Sequence, residues 1–350
     1  MTLLPPVMLA PLSALYSAVT RTRLALYRRG VLKTSQLAAP VISVGNITAG
    51  GTGKTPLVEY LARAVHQDGR RVCVLTRGYG REKAGRVMVS DGECMLASER
   101  EAGDEPRLLA ERLRGVAAVI SDANRFAAGQ WAMKELGSEV FVLDDGFQHL
   151  NLQRDLNIVT IDATRPWGDR RLLPWGRLRE PTRGLSRADC VVITRADQSD
   201  GVQALQEEIK ALVPNGQVFT SQMYTCGFKQ VGVSFSEDHG GLTGEIAQPV
   251  GTFCAVGNPA AFIQQLRDAG YDPVSTTVFP DHHRFSEYEI ASIVRKAKAA
   301  GATSLITTAK DAVKLREFSF ELPCYVLEIE IRIDDESRFL AMIRAKIAVR

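Results

Sequence analysis

The sequence lacks the cysteine and histidine groupings that hold zinc. Its six cysteines, Cys73, Cys94, Cys190, Cys226, Cys254 and Cys324, are scattered, with no C-x-x-C pair and no histidines at ligand spacing. That excludes a zinc finger or ribbon. In a chain of 350 residues it also reads as reduced cytosolic thiols rather than a disulfide framework. Charge of one sign is missing too. A formal net charge of +3, with no long basic run and no interleaving of aromatic with basic residues, gives no footing for nucleic acid. Nor is there an unbroken apolar stretch of about 20 residues, the length a spanning helix requires.

Met1–Thr20 comes nearest. It carries no charged side chain, but Pro5, Pro6 and Pro11 interrupt it. The cations Arg21, Arg23, Arg28, Arg29 and Lys33 come after it, the reverse of the order in a secretory signal peptide. What remains, Leu12–Tyr27, fits a short amphipathic helix ending in arginines. Such a helix suits the anionic inner face of a membrane. A leading helix packed on the protein's own core is the other reading of the same residues.

From residue 40 onward, apolar β-branched runs alternate with segments of helical period. Pro40–Val44, Arg71–Thr76, Val116–Ser121, Val140–Leu143, Asn157–Asp162 and Cys190–Thr194 are nearly continuous apolar runs, as expected of parallel strands covered on both faces. Helices are expected between them at Pro56–Val65, Pro106–Leu113, Asn124–Leu136 and Val202–Leu212. Gln217–Val250 is rich in Gly, Ser, Thr and Gln, with a turn signal at Gly240–Gly241, and reads as an extended hairpin or linker. A smaller α/β unit follows, with strands at Thr252–Val256, Ser304–Thr308 and Tyr325–Glu330 and helices at Pro259–Ala269, Ser286–Ala300 and Asp335–Ile347. The expected division is a leading helix over 1–33, a core domain over 34–216, a linker over 217–250 and a smaller domain over 251–350.

One segment carries clear chemistry. Val41-Ile42-Ser43-Val44-Gly45 runs as a buried strand into Asn46-Ile47-Thr48-Ala49-Gly50-Gly51-Thr52-Gly53-Lys54-Thr55, and Pro56 opens a helix. Glycines let backbone N–H groups close on phosphate oxygens, and the helix N-terminus adds free donors and its dipole. Lys54 is placed to reach β and γ phosphates of a nucleoside triphosphate, and the Thr55 hydroxyl to ligate Mg²⁺. The common pattern has Gly where Thr48 stands, and the Gly50–Gly51 pair is expected to supply the flexibility instead. Asn46, Thr48, Ala49, Gly50, Gly51, Thr52, Gly53, Lys54 and Thr55 are therefore the expected nucleotide contacts. An acidic partner is expected at the carboxyl end of another buried strand. Val140–Leu143 leads into Asp144 and Asp145, either of which suits the metal.

A nucleotide-dependent switch or metallochaperone is the competing reading. Thr194-Arg195-Ala196-Asp197 sits where a GTPase carries its base-reading motif, but with Arg in the Lys position. No lysine lies early in the phosphate loop, as it often does in partitioning ATPases. The remaining motifs have no place in a bare switch. They are Thr76-Arg77-Gly78-Tyr79-Gly80, Gly103-Asp104-Glu105-Pro106, Asp145-Gly146-Phe147-Gln148-His149, Leu172–Pro181, and Phe279-Pro280-Asp281-His282-His283-Arg284-Phe285. Polar residues gathered in loops at strand ends suit a second, hydroxyl-bearing substrate.

Together with Gly257-Asn258-Pro259 and Thr308-Ala309-Lys310-Asp311-Ala312-Val313-Lys314, these ordered motifs make nearly the whole chain resemble the tetraacyldisaccharide 4′-kinase family. The resemblance implies transfer of the ATP terminal phosphate, with Mg²⁺, to the 4′-hydroxyl of a tetraacylated glucosamine disaccharide 1-phosphate, the lipid A precursor. It implies a peripheral or monotopic enzyme on the cytoplasmic face of the bacterial inner membrane, with no nucleic acid and no obligate protein partner. The implied fold is a phosphate-loop α/β/α domain and a smaller α/β domain joined by a β-hairpin linker. By the same resemblance Asp104 and His282 form a catalytic dyad alongside Lys54, with His283 the fallback. A carboxylate orienting an imidazole is also a sound general base in its own right. Glu105 and Glu180 join Thr55, Asp144 and Asp145 as metal candidates, although Asp104–Pro106 also reads as a helix start. Arg77, Tyr79, Gln148, His149 and Arg179 are the expected substrate contacts.

Overall fold

The computed structural model describes residues 6–232 and 243–348. The Gly240–Gly241 turn signal lies outside the described residues. The apolar runs do form parallel strands: β1 (Val41–Gly45), β2 (Val72–Thr76), β4 (Ala117–Ser121), β5 (Val140–Asp144), β6 (Leu156–Asp162) and β7 (Cys190–Thr194). Every residue of β1, β2, β4, β5 and β7 is buried, so each strand is covered on both faces and needs no polar side. A short edge strand, β3 (Val87–Ser90), pairs antiparallel with β4; its length gave no periodic signal. Helices α2 (Lys54–Gln67), α3 (Glu99–Ala102), α4 (Asp104–Arg112), α5 (Arg125–Glu135) and α6 (Val202–Leu212) cover this half.

The linker segment became part of the sheet. β8 (Gln217–Gln230) is 14 residues long. Its start pairs parallel with β7, and from Ser221 onward it pairs antiparallel with β12 (Cys324–Ile333). β9 (Val250–Cys254), β10 (Ser275–Val278) and β11 (Ser304–Thr308) add parallel strands beyond β12. Among the described residues the result is one sheet of order β10-β9-β11-β12-β8-β7-β6-β1-β5-β2-β4-β3. Helices α7 (Pro259–Asp268), α8 (Glu287–Ala299) and α9 (Ala309–Ala312) flank the second half. The antiparallel arm of β8 finds its partner about a hundred residues downstream, so the pairing is tertiary.

The last helix packs on the first half of the chain. α10 (Glu336–Ala348) was assigned to the smaller unit, yet Phe339, Met342, Ile343 and Ile347 are buried in the same cluster as Val58, Leu61 and Val65 of α2. The chain thus returns to close the first core. Local periodicity fixes a helix and its apolar face, but not which core receives that face.

The leading helix also differs from expectation. α1 (Pro6–Arg28) runs through Pro11 instead of starting after it. A helical φ suits proline, which removes one intrahelical hydrogen bond without forcing a break. Among the described residues no helix is long and apolar enough to cross a membrane.

Candidate active site

The two halves of the sheet face each other across a cavity of about 1430 Å³. The phosphate loop forms one wall. Gly53 caps α2 in the left-handed region, at φ +77°, and a Cβ there would lie 2.6 Å from Met223 Cε. Gly50 also has positive φ, and a Cβ on it would collide with the Arg177 guanidinium. These two positions require glycine. Thr48 does not, because it forms a β-bridge with Leu178. Extended backbone suits a β-branched residue, which explains the departure from the common pattern.

That bridge divides the expected nucleotide set. Gly50, Gly51, Thr52, Gly53, Lys54 and Thr55 line the cavity, whereas Asn46, Thr48 and Ala49 do not. The Ala49 N–H donates to Arg177 O at 2.6 Å, and Arg177 Nε donates back to Ala49 O at 2.9 Å. Asn46 Nδ2 donates to Thr52 Oγ1, which also bonds Thr160 Oγ1 at 2.8 Å. These residues hold the loop's shape from behind.

Acidic side chains divide by their partners. Asp144, at the end of β5, is 2% exposed and accepts a long 3.4 Å hydrogen bond from Thr76. Burial, reinforced by the negative charges of Glu105 and Asp145, pushes its carboxyl up to about 7. Asp145 differs. Partial burial would raise it, but Lys54 at 3.4 Å and Arg179 at 2.7 Å hold it well below the usual carboxylate range. Glu105 is paired with Lys310 at 2.8 Å, and Glu180 with Arg187 at 2.8 Å and Gln148 Nε2 at 2.7 Å. Among the described residues no group of three or more acidic, His or Cys side chains converges as a cage. Of the five expected metal ligands, Asp145, Glu105 and Glu180 have cationic partners in this structure. Asp144 and Thr55 have none, and a buried carboxylate raised further by the negative charges of Glu105 and Asp145 suits a divalent cation. Mg²⁺ needs only one or two carboxylates when phosphates and water complete its shell.

Two pieces 178 residues apart meet on the opposite wall. His282 Nδ1 lies 3.0 Å from Asp104 Oδ2 and 3.1 Å from Oδ1. Asp104 starts α4, and His282 sits in the turn after β10 at φ +62°. The Asp104 hydrogen bond raises the imidazole above its ordinary value, against burial and the charge of Lys310. Burial pulls the Asp104 carboxyl upward, but His282 and Lys310 hold it low. His283, the fallback, turns to Glu289 at 3.0 Å.

Of the expected substrate contacts, Arg77 and Tyr79 are exposed on the cavity wall, and the Tyr79 ring lies 5.2 Å from that of His282. Arg179 is held by Asp145, and Gln148 Nε2 by Asn46 O and Glu180, so both also brace the site. His149 is pushed down to about 3 by burial and by Arg125, Arg154, Arg23 and Arg77, and stays neutral. Two cavity residues were not singled out from the sequence. Arg125, only 4% exposed, reaches His149 at 3.3 Å; a lone arginine opening a helix carries no motif. Lys310 lay within a quoted motif without an assigned role.

The family model described as tetraacyldisaccharide-1-P 4′-kinase matches residues 6–348. A tetraacyldisaccharide 4′-kinase of Geobacter sulfurreducens is 42% identical over 330 residues, covering 91% of this chain and 87% of its own. That of Desulfotalea psychrophila is 38% identical over 318 residues, covering 90% and 89%. Among solved structures, the "apo" form of LpxK from Aquifex aeolicus in complex with ATP matches with a TM-score of 0.74 at 31% identity. The match covers 98% of this chain and 99% of that one. On sequence, fold and the order of its motifs, the chain belongs to the tetraacyldisaccharide 4′-kinase family.

Proposed function

We propose that this cavity is where the γ-phosphoryl group of ATP passes to the 4′-hydroxyl of a tetraacylated glucosamine disaccharide 1-phosphate, with His282 as the general base. The observation that carries the reading is His282, which Asp104 holds at Nδ1 and which lines one cavity with Lys54, Thr55 and Asp144. His282 accepts the hydroxyl proton as the oxygen bonds to phosphorus and the bond to the ADP oxygen breaks. Lys54 leaves Asp145 for the β and γ phosphates, and Arg179 keeps Asp145 paired meanwhile. Thr55 and Asp144 would hold Mg²⁺, which supplies charge neutralisation on the phosphates. Arg77, Tyr79 and Arg125 present donors and an aromatic face to the sugar phosphate.

The switch reading predicts ATP hydrolysis indifferent to a lipid acceptor. In mixed detergent micelles, ADP release is expected to rise at least about tenfold when the disaccharide precursor is added, as for any enzyme whose acceptor completes the reacting geometry. A rate unmoved by acceptor would favour the switch.

The membrane assignment is supported by the two faces of α1. Ser13 donates to Leu172 O at 2.9 Å and Tyr16 to Arg179 O at 2.9 Å, which ties one face to the site loops. On another face Leu12, Leu15 and Val19 are 48%, 62% and 58% exposed, at helical spacing, with Arg21, Arg28 and Arg29 exposed beyond them. Acyl chains can then stay in the bilayer of the inner membrane's cytoplasmic face while the sugar enters the cavity. Leu15→Glu combined with Val19→Glu is expected to abolish most co-sedimentation with anionic liposomes while ATP binding stays normal. Full co-sedimentation of the double variant would refute the membrane role of this face.

A further inference from the structure

Lys310 projects from the start of α9, and its surroundings constrain what it can do. An ammonium group has three N–H donors and no acceptor. Here Nζ lies 2.8 Å from Glu105 Oε1, 3.0 Å from Asp281 Oδ1 and 3.3 Å from His282 Nε2. A donor can meet Nε2 only if that nitrogen carries its lone pair. The single imidazole proton then sits on Nδ1, where Asp104 accepts it. We infer that Lys310 is a positioning residue for the phosphoryl transfer: it fixes His282 as the neutral tautomer with its lone pair on Nε2, the atom that takes the hydroxyl proton. This rests on the assignment of His282 as the base.

The support around Lys310 is rigid. Asp311, fully buried beside it, accepts from the Ala255 N–H at 2.9 Å and from Thr308 Oγ1 and Lys314 Nζ, each at 2.8 Å. Asp281 Oδ1 accepts from both Lys310 and the backbone N–H of His282, so the lysine and the turn carrying the imidazole are set by one oxygen. The groups that face the imidazole are Asp104, Asp281, Lys310 and the Tyr79 ring, with Glu105 behind the lysine. Remove the ammonium, and the imidazole keeps the Asp104 and Asp281 carboxylates but loses the cation in contact with it. That environment favours the imidazolium, which has no lone pair to accept a proton. In the reacting state the acceptor hydroxyl takes the place of the ammonium at Nε2, while Glu105 and Asp281 retain the lysine nearby. Because Glu105 belongs to the first half of the sheet and Lys310 to the second, the same contact ties formation of a competent base to apposition of the two halves.

The test uses the full chain labelled with ¹⁵N-histidine. On the high-pH plateau of the kcat/KM profile the wild-type His282 signals are expected to be those of a neutral ring protonated on Nδ1. Lys310→Met is expected to shift them toward imidazolium and to lower kcat by about 100-fold, the lower end of what a positioned proton transfer contributes. KM for ATP should change less than threefold. Lys310→Arg, which keeps the charge, should restore the neutral ring and part of kcat. A wild-type ring protonated on Nε2 would overturn the inference whether or not any variant folds. So would a Lys310→Met enzyme with kcat within twofold of wild type, or one altered only in KM for ATP. His282→Gln separates the two layers: if it retains full turnover the base assignment fails, whereas a dead His282→Gln beside a fully active Lys310→Met fails only the role of Lys310.

Discussion

Lys54→Ala is expected to lower acceptor-dependent turnover by about 10²-fold to 10³-fold, the range for removing one preorganised group that stabilises transition-state charge. Local chemistry explains why the loss should be functional and not a collapse of the fold. Lys54 begins α2 on a loop whose shape is fixed by Thr52, Thr160, Arg177 and the Thr48–Leu178 bridge, none of which uses the lysine side chain. Among the described residues its ion pair is with Asp145, which keeps Arg179 at 2.7 Å. The variant should therefore melt close to wild type while its thermal stabilisation by ATP disappears. Turnover within threefold of wild type would remove the catalytic reading of the loop.

The second large effect belongs to the dyad. His282→Gln should reduce kcat by about 10²-fold to 10⁴-fold, the usual contribution of general-base catalysis, with little change in KM for ATP. The pH profile gives the sign. The base acts in its neutral form, so kcat/KM must climb as pH rises through the His282 pKa. Asp104 holds that pKa above the ordinary 6.5. In Asp104→Asn the carboxylate is gone, the pKa falls and the acidic limb moves to lower pH. The plateau drops as well, because the imidazole loses its orienting acceptor. An acidic limb that moved upward, or did not move, would show that Asp104 does not tune His282.

Much of the site was legible because its signals are local. The β1–loop–α2 unit is contiguous, and Gly50 and Gly53 carry their conformational demand in their identity. Asp144 was placed by the rule that open sheets put ligands at strand carboxyl ends. The dyad came through resemblance, since nothing in the chain between Asp104 and His282 announces that they meet. Other partnerships are set only by the tertiary structure. Four acidic metal candidates look alike as sequence, but Asp145, Glu105 and Glu180 each have a cationic partner, and Asp144 is buried without an ion pair among the described residues.

The sequence by itself determined the elements: apolar β-branched runs become covered parallel strands, and glycines before Lys54 become a phosphate loop, because these outcomes depend on neighbours within a few residues. The tertiary structure alone decided the partnerships. Lys310 reaches Glu105 across 205 residues of chain, β8 pairs with β12, and α10 returns to the first core. Charge and apolar area fix that such groups must find partners. Which partner each one finds depends on where the whole chain brings it, and that placement set the electrostatics of His282 and Asp144.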